Sequence, residues 1–440
     1  MTRAAAPTPA QEHTPSWYAA TRVHQRTWPR LEGQIQCQIA IIGGGFTGIN
    51  TAIELAQEGY QVTLLEAHRL GWGASGRNGG ELIRGIGHHL DQFQPSLGDE
   101  GVKRLKQLGL EAVDLVKKRI QAHQIPCDLH LGYADLATCS RHIEDLETEQ
   151  QEMADLGYPH AMRLVRGAEV REQVVDSAFY PAALIDEGSG HLHPLNLLLG
   201  EADLAEQLGV TLFEQSQVLR IEKGDKPKLF TAQGQLECDL LVIAANGYLD
   251  AELEPWLGSR ILPAGSYLIA SSPLPEALCQ QLMPGRKAVA DMRTALDYYR
   301  ISADHRLIFG GLCTYSGRDP KDIAAALRPH IRQVFPQLQD LTIEYQWGGM
   351  LGIGANRLPQ IGRLPDAPNI YYAQAYAGHG LNATHLAART LAQAIRGDET
   401  DFALFAKIEH LRFPGGRYLR APLLAGGMLW YQLIDRLRSL

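Results

Sequence analysis

Three glycines, Gly43, Gly45 and Gly48, fill the places of a G-x-G-x-x-G pattern, and an acid, Glu66, follows about twenty residues on. The first glycine permits a tight turn, the second admits a pyrophosphate to the backbone, and the third lets a helix pack close to a strand. With Phe46 and Thr47 they open that helix, whose free N–H groups face the phosphates. Glu66 is placed to accept hydrogen bonds from ribose hydroxyls. The chemistry implied is redox on a bound dinucleotide, FAD or NAD, and the fingerprint alone does not choose.

A second stretch is Gly71-Trp72-Gly73-Ala74-Ser75-Gly76-Arg77-Asn78-Gly79-Gly80-Glu81, with five glycines in eleven residues. So many glycines build neither helix nor strand. Such a loop brings N–H groups against something flat or anionic, and a simple linker would not carry Trp72 and Arg77. A third stretch is Gly378-His379-Gly380 with Leu381 and Asn382, a glycine turn at the mouth of a helix. The helix dipole there directs partial positive charge at whatever precedes it. Two arginines complete the set. Arg84 lies just past the second stretch; a guanidinium grips a carboxylate through two parallel hydrogen bonds, and it serves as readily in a salt bridge to a neighbouring acid. Strand alternation puts Arg300 with Tyr298 and Ser302 on one face, and Tyr299 with Ile301 on the other.

Strands and helices must hold these groups. Residues 39–42 and 61–65 read as apolar strands about a helix over 47–57, closed by Gly59. Residues 240–247 read as a buried parallel strand running into a tight turn, and 370–373 as another apolar strand ahead of a helix over 383–396. Val102, Leu105, Leu108, Leu110, Val113 and Val116 recur near helical spacing, an acidic helix follows over 142–156, and residues 129–136 between them suit a strand. A helix is expected over 195–208, strands over 210–213 and 216–221, and a hairpin joining 296–302 to 306–310. Residues 329–335 close a helix and 341–347 form a strand. Residues 1–16, rich in Ala, Pro, Thr and Gln, read as a flexible arm, and Trp17-Tyr18 begins the ordered chain.

At 440 residues, two domains are expected. With 45% hydrophobic and 20% charged residues the composition is that of a soluble globular protein, and a net charge of −8 argues against nucleic acid as a partner. No apolar run reaches the roughly 18 to 20 residues of a membrane-spanning helix, and no signal peptide is visible. Six cysteines without CxxC pairs fit reduced thiols in a cytoplasmic protein. The histidines His88-His89, His191 and His193 lack metal-ligand spacing and suit local packing, so no metal site is expected.

The glycine cradle and the run Ala74-Ser75-Gly76-Arg77-Asn78-Gly79-Gly80 together resemble the FAD-dependent amine and amino-acid oxidases, which include D-amino-acid, glycine and sarcosine oxidases. The run is most similar to bacterial γ-glutamylputrescine oxidases. The resemblance spans nearly the whole chain and implies FAD over NAD. It implies an α/β fold: a Rossmann-like FAD-binding domain, discontinuous over 17–95, 188–250 and 348–410, and a mixed-sheet α+β substrate domain over 96–187 and 251–347. It also implies that the 74–80 loop lies along the flavin ring, that Val218 stands beside the adenine, and that the Gly378–Asn382 turn meets the flavin pyrimidine edge.

Oxidation of an amine on flavin moves a hydride equivalent from the carbon beside nitrogen. Tyr298 suits the wall of an amine site, with Arg300 as a second carboxylate ligand and His379 at the ring-side turn. Two departures from sarcosine-type oxidases stand out. No cysteine follows Cys313, so FAD is expected to be non-covalent, and Leu381-Asn382 replaces a lysine after Gly-His-Gly. Arg84 as a carboxylate grip, with the possible membrane helix, ranks a secondary amine or imino acid such as L-pipecolate (lysine catabolism) first. Overall resemblance ranks γ-glutamylputrescine second, and a non-catalytic FAD-binding redox protein is the alternative of another class. Oxygen or a quinone would take the electrons. Residues 411–440, apolar with basic flanks, suit either a helix docked on the protein's own surface, the reading slightly favoured, or an interfacial helix, which would give peripheral contact with the inner face of the cytoplasmic membrane.

Overall fold

The computed structural model describes residues 8–293, 295–314 and 319–413. Ser16 caps a short helix α1 (Trp17–Thr21) by accepting the Ala19 N–H, and both Trp17 and Tyr18 are buried. Strand β1 (Gly33–Ile42) starts exposed and is buried from Ile39 onward. It turns through Gly43 into helix α2 (Phe46–Gln57), which returns through Gly59 to β2 (Val62–Leu65). After the glycine loop come a short strand β3 (Glu81–Leu82) and the long helix α3 (Gln94–His123), kinked at Gly98, whose φ of +68° is non-helical. Strand β4 (His130–Ala137), helix α4 (Ser140–Asp155), strand β5 (Met162–Arg166), helix α5 (Ala168–Gln173) and strand β6 (Ala182–His191) follow.

Helix α6 (Pro194–Gln207) brings the chain back to β7 (Thr211–Phe213), the hairpin β8 (Arg220–Glu222) and β9 (Lys228–Phe230), and the long β10 (Gly234–Ile243). Beyond α7 (Pro255–Gly258) lie β11 (Leu262–Ser271), α8 (Glu276–Leu282), β12 (Ala288–Asp291), β13 (Tyr298–Ile301), β14 (Leu307–Thr314), α9 (Ile323–Val334) and β15 (Ile343–Ile353). The described chain closes with β16 (Gln360–Leu364), β17 (Ala367–Gln374), α10 (Gly380–Ile395) and α11 (Thr400–Ala406).

Two sheets result. In the first, β16-β17-β10-β1-β2-β7 lie side by side; β17, β10, β1, β2 and β7 run parallel, and β16 is antiparallel to β17. Its central strands carry near-continuous apolar runs because both faces are covered, one by α2, α6 and α10 and the other by the β8–β9 hairpin and α7. The second sheet, β15-β11-β14-β13-β12-β4-β6-β3, is antiparallel except where β12 meets β4. This is the dinucleotide unit with a mixed second sheet that the sequence implies.

Several boundaries differ from the expectations. Helix α3 packs its Val102, Leu105, Leu108, Val113 and Val116 into the same apolar cluster as α2, α6 and α10. That cluster also takes in Leu268, Ala270, Ile308 and Trp347 of the second sheet, so the apolar stripe of α3 is buried where the two sheets' layers meet. The strand over 216–221 shrinks to Arg220–Glu222, since Ser216 turns its hydroxyl onto the Glu214 carbonyl and breaks the ladder. The arm is held from residue 8 onward. Thr8 and Gln11 donate their N–H groups to Gln217 Oε1 (2.8 Å) and His68 Nδ1 (3.1 Å), and Glu12 pairs with Arg69. From residue 414 on, the expected interfacial helix lies outside the described residues, as do residues 1–7 of the arm. Among the described residues no helix is long and apolar enough to cross a membrane.

Candidate active site

The dinucleotide cradle assembles from β1, α2 and β2. Gly43 adopts φ +110°, and a Cβ there would meet the Ala244 carbonyl oxygen at 2.8 Å, so only glycine fits between β1 and β10. A Cβ on Gly48 would overlap the Gly43 carbonyl oxygen. Helix α2 begins at Gly45 with no side-chain cap and with its first turn buried, and Ser75 Oγ accepts the Phe46 N–H at 2.9 Å. Buried, uncapped N–H groups at a helix start call for an anion. Thr47 Oγ1 meets the Tyr376 hydroxyl at 2.7 Å. The Glu66 carboxylate accepts the Gly44 N–H at 2.7 Å and the His68 N–H at 2.9 Å, and burial pushes its carboxyl above the usual range. These residues fit a bound dinucleotide: an anion socket with an acid beside it. Val218 is buried in coil next to Gln217, the residue that holds Thr8 of the arm.

The glycine loop is built as a short 3-10 turn, Ala74–Gly76, followed by a self-bonded Asn78. The Asn78 amide donates to the carbonyls of Ala74 and Ser75, and its Oδ1 accepts the Gly80 N–H. Arg77 stacks over Trp72 with 4.2 Å to the ring centroid and donates to the carbonyls of Trp72 and Gly348. The Gly79 carbonyl accepts twice, from Arg300 Nε at 2.7 Å and from the Tyr18 hydroxyl at 3.0 Å. Ala74, Ser75, Arg77, Asn78, Gly79 and Gly80 thus form one braced loop ahead of Glu81.

The two arginines are already engaged. Arg84, 7% exposed, donates to Asp186 (3.0 Å), Asp135 (2.8 Å) and Glu149 (2.6 Å). Three carboxylates engage Nη1 and Nη2 and leave only the buried Nε without a partner, so Arg84 stands as a salt-bridge centre and not as a free grip for a substrate carboxylate. Arg300, 2% exposed, donates to Gly79 O, Leu192 O and the Tyr18 hydroxyl, and faces His191 Nδ1 at 3.4 Å. It too acts on the protein, bracing the loop, and is not a free carboxylate ligand. Alternation along β13 holds: Tyr299 stacks on Phe309 in the core, while Tyr298 turns to the loop side and meets Ser266 Oγ at 3.2 Å.

At the third stretch, Gly380 starts α10 with no side-chain cap. His379 Nε2–H donates to the Arg84 carbonyl at 2.7 Å, and the Asn382 amide donates to the Gly85 carbonyl at 2.6 Å. Burial depresses the His379 pKa, which keeps the ring neutral and this donor in place. Both side chains therefore tie the start of α10 to the segment after β3. Gly378 and Leu381 complete the turn, with Leu381 buried. The other histidines play structural parts: His193 Nδ1 accepts the Asn196 N–H at the start of α6, and His191 donates to the Arg286 carbonyl.

Reading the sequence missed Tyr18, whose hydroxyl bridges Arg300 and Gly79, and Trp347, whose Nε1–H donates to the Arg77 carbonyl. It also passed over Glu81. No local pattern marks any of them, because each acts across sheets.

Comparison with known proteins shows the family. A family model described as FAD dependent oxidoreductase matches residues 38–394. The chain is 38% identical to the γ-glutamylputrescine oxidoreductase of Escherichia coli K12 over 97% of its own length and 99% of the relative's. It is 35% identical to a probable oxidoreductase, OrdL, of Haemophilus influenzae, over 97% and 99%. The glycine oxidase structure from Geobacillus kaustophilus superposes with a TM-score of 0.72 at 21% identity, covering 86% of this chain and all of that one, which shows the shared fold. With the anion socket, the paired acid and the braced glycine loop in place, the chain belongs to the FAD-dependent oxidoreductases of the D-amino-acid-oxidase family.

Proposed function

We propose that the protein oxidises the terminal primary amine of γ-glutamylputrescine, or of a close relative of it, to the imine, which water then opens to an aldehyde and ammonia. One observation carries the choice of substrate class: both arginines that an α-carboxylate would need are held by protein acceptors, Arg84 by three acids and Arg300 by two carbonyls and Tyr18. This removes the structural support for L-pipecolate, and the near full-length likeness to a γ-glutamylputrescine oxidoreductase supports the other reading.

FAD, bound without a covalent link, supplies a two-electron acceptor for the hydride equivalent leaving the carbon beside nitrogen. The chain's own part is placement and electrostatics. Gly43, Gly45, Phe46, Thr47, Gly48 and Glu66 would hold the pyrophosphate and ribose, and Val218 would flank the adenine. Ala74 to Gly80 would line the ring, kept in register by Arg300 and Tyr18. The uncapped start of α10, with Gly378, His379, Gly380, Leu381 and Asn382, would set positive potential where the ring gains negative charge on reduction. Tyr298 would wall the amine.

The experiment is anaerobic bleaching of the purified flavoprotein by γ-glutamylputrescine, L-pipecolate, L-proline and sarcosine in turn. Rapid bleaching by γ-glutamylputrescine with none by L-pipecolate is expected; the reverse order overturns the proposal. Readmitting oxygen, or adding a quinone without oxygen, identifies which of the two reoxidises the protein.

A further inference from the structure

Glu81 opens β3, directly after the last glycine of the ring-side loop, and pairs across the strand with His191. Its carboxylate occupies the place that a Cβ on Gly79 would need: Oε2 overlaps that point, Oε1 lies 2.7 Å from it, and Tyr298 Cε2 lies 2.7 Å from it. The acid, the bare face of Gly79 and the edge of the Tyr298 ring thus converge on one spot beside the loop.

The carboxylate meets no other residue's donor there. Apart from its own main-chain N–H, none of the hydrogen bonds or ion pairs among the described residues ends on a Glu81 side-chain oxygen. Other enclosed acids are all served: Glu66, Asp186, Glu201, Glu214, Asp291 and Asp297 each receive at least one donor. Glu81 keeps some exposed surface although the groups packed about it desolvate its carboxyl. Arg300 is near enough to favour its ionised form, yet none of its hydrogen bonds among the described residues reaches the carboxylate: they go to the Gly79 and Leu192 carbonyls, the Tyr18 hydroxyl and His191 Nδ1. An enclosed, unpaired carboxylate is costly, and a cation arriving with a ligand offsets that cost.

We propose that the Glu81 carboxylate anchors the substrate's cationic amine and accepts the proton that it sheds before oxidation. This inference rests on amine oxidation at this site. The steps balance. R–CH2–NH3⁺ passes one N–H proton to the carboxylate, giving R–CH2–NH2 and the carboxylic acid. The freed nitrogen lone pair then forms the C=N bond as the adjacent carbon gives up a hydride equivalent, two electrons and a proton, to the FAD of the family, leaving R–CH=NH2⁺. Burial raises the Glu81 carboxyl, which brings its proton affinity nearer that of the amine. The groups facing it are Arg300 and Tyr298 from β13, Tyr18 from α1, Tyr133 from β4 and His191 from β6. A second consequence is selectivity: an α-carboxylate on the same carbon as the amine would be brought against the Glu81 carboxylate. The site therefore takes amines whose neighbouring carbon carries no carboxylate.

The test compares the flavin-loaded wild type with Glu81→Gln. The probe is tert-butylamine, a cation with no hydrogen on the carbon beside nitrogen, read by its perturbation of the flavin spectrum. We expect a saturable perturbation in the wild type that weakens roughly 10- to 100-fold in Glu81→Gln, as loss of a charge-assisted hydrogen bond would give. The acid limb of kcat/KM should vanish in the same variant. Equal binding and an unchanged pH profile overturn the inference. If Glu81→Gln loses its flavin, Glu81→Asp decides: a weaker tert-butylamine complex supports the anchor, and an unchanged one overturns it. Should no amine bleach even the wild type, it is the amine-oxidase reading that falls; bleaching by γ-glutamylputrescine with Glu81→Gln unaffected sinks the anchor alone.

Discussion

Arg300 Nε donates to the Gly79 carbonyl across 2.7 Å, from the second sheet to the loop that follows the dinucleotide unit, and the Tyr18 hydroxyl joins both residues. The three form a closed triangle, so removing any corner leaves a buried donor or acceptor unmet. Arg300→Met should cost about 3–5 kcal/mol of stability and lower the ratio of flavin to protein after purification. Tyr18→Phe should cost about 1–3 kcal/mol. In the double variant the two losses should fall short of adding, because they break one network. Strict additivity would dissolve the triangle.

Gly48 has no room for a methyl group, which would overlap the Gly43 carbonyl oxygen and crowd Ile41. Gly48→Ala should force α2 away from β1 and yield apoprotein, with a stability loss of about 1–3 kcal/mol from overpacking. Normal flavin content in this variant would show that the close approach is not needed for binding.

Arg84 centres a cluster with Asp186, Asp135 and Glu149. Arg84→Ala should strand three acids and lower stability by about 3–5 kcal/mol. Arg84→Lys keeps the charge; it should melt earlier while the KM for the amine stays within about twofold of wild type. A large rise in KM with an unchanged melting temperature would return Arg84 to the substrate.

Acid should weaken the fold. Burial pulls His88 down from 6.5 to about 4 and His193 to about 3. Each is a base with a depressed pKa in the fold, so the unfolded chain binds protons first as pH falls below 6.5. The stability they contribute is present above pH 6.5 and is lost on the way down to about 4. Glu66 and Glu81 run the opposite way: their raised carboxyls add stability below 4.5 that is lost as pH rises. The difference between wild type and His88→Asn isolates one histidine. In urea unfolding, wild type should lose more stability than the variant between pH 6.5 and about 4; parallel curves would refute the assignment.

Much of the site could be read from sequence because it is local. The cradle from Gly43 to Glu66 is one β-α-β unit, and its parts lie within a single crossover. The faces of β13 were equally legible, since alternation sends Tyr299 to Phe309 and Arg300 to the loop without reference to distant chain. Arg84 was not legible: its acids lie 51, 65 and 102 residues away, and only the second sheet brings them together. The arm from Thr8 to Ser16 has the composition of a loose tail, yet hydrogen bonds to Gln217 and His68 and the Glu12–Arg69 ion pair hold it. Glu81 reads as the last letter of a glycine loop until its lack of a partner is seen in three dimensions.

Gly85 is where α3 and α10 meet the segment after β3. Its N–H donates to the Gly109 carbonyl, its own carbonyl accepts from Asn382, and a Cβ on Gly109 would stand 2.9 Å from the Gly85 Cα. Backbone touches backbone there, with no side chain to yield. A substitution at residue 85, 109 or 382 therefore disturbs one shared contact. Loop grafts that seek new substrate preferences between residues 83 and 86 must carry the matching pieces of both helices with them.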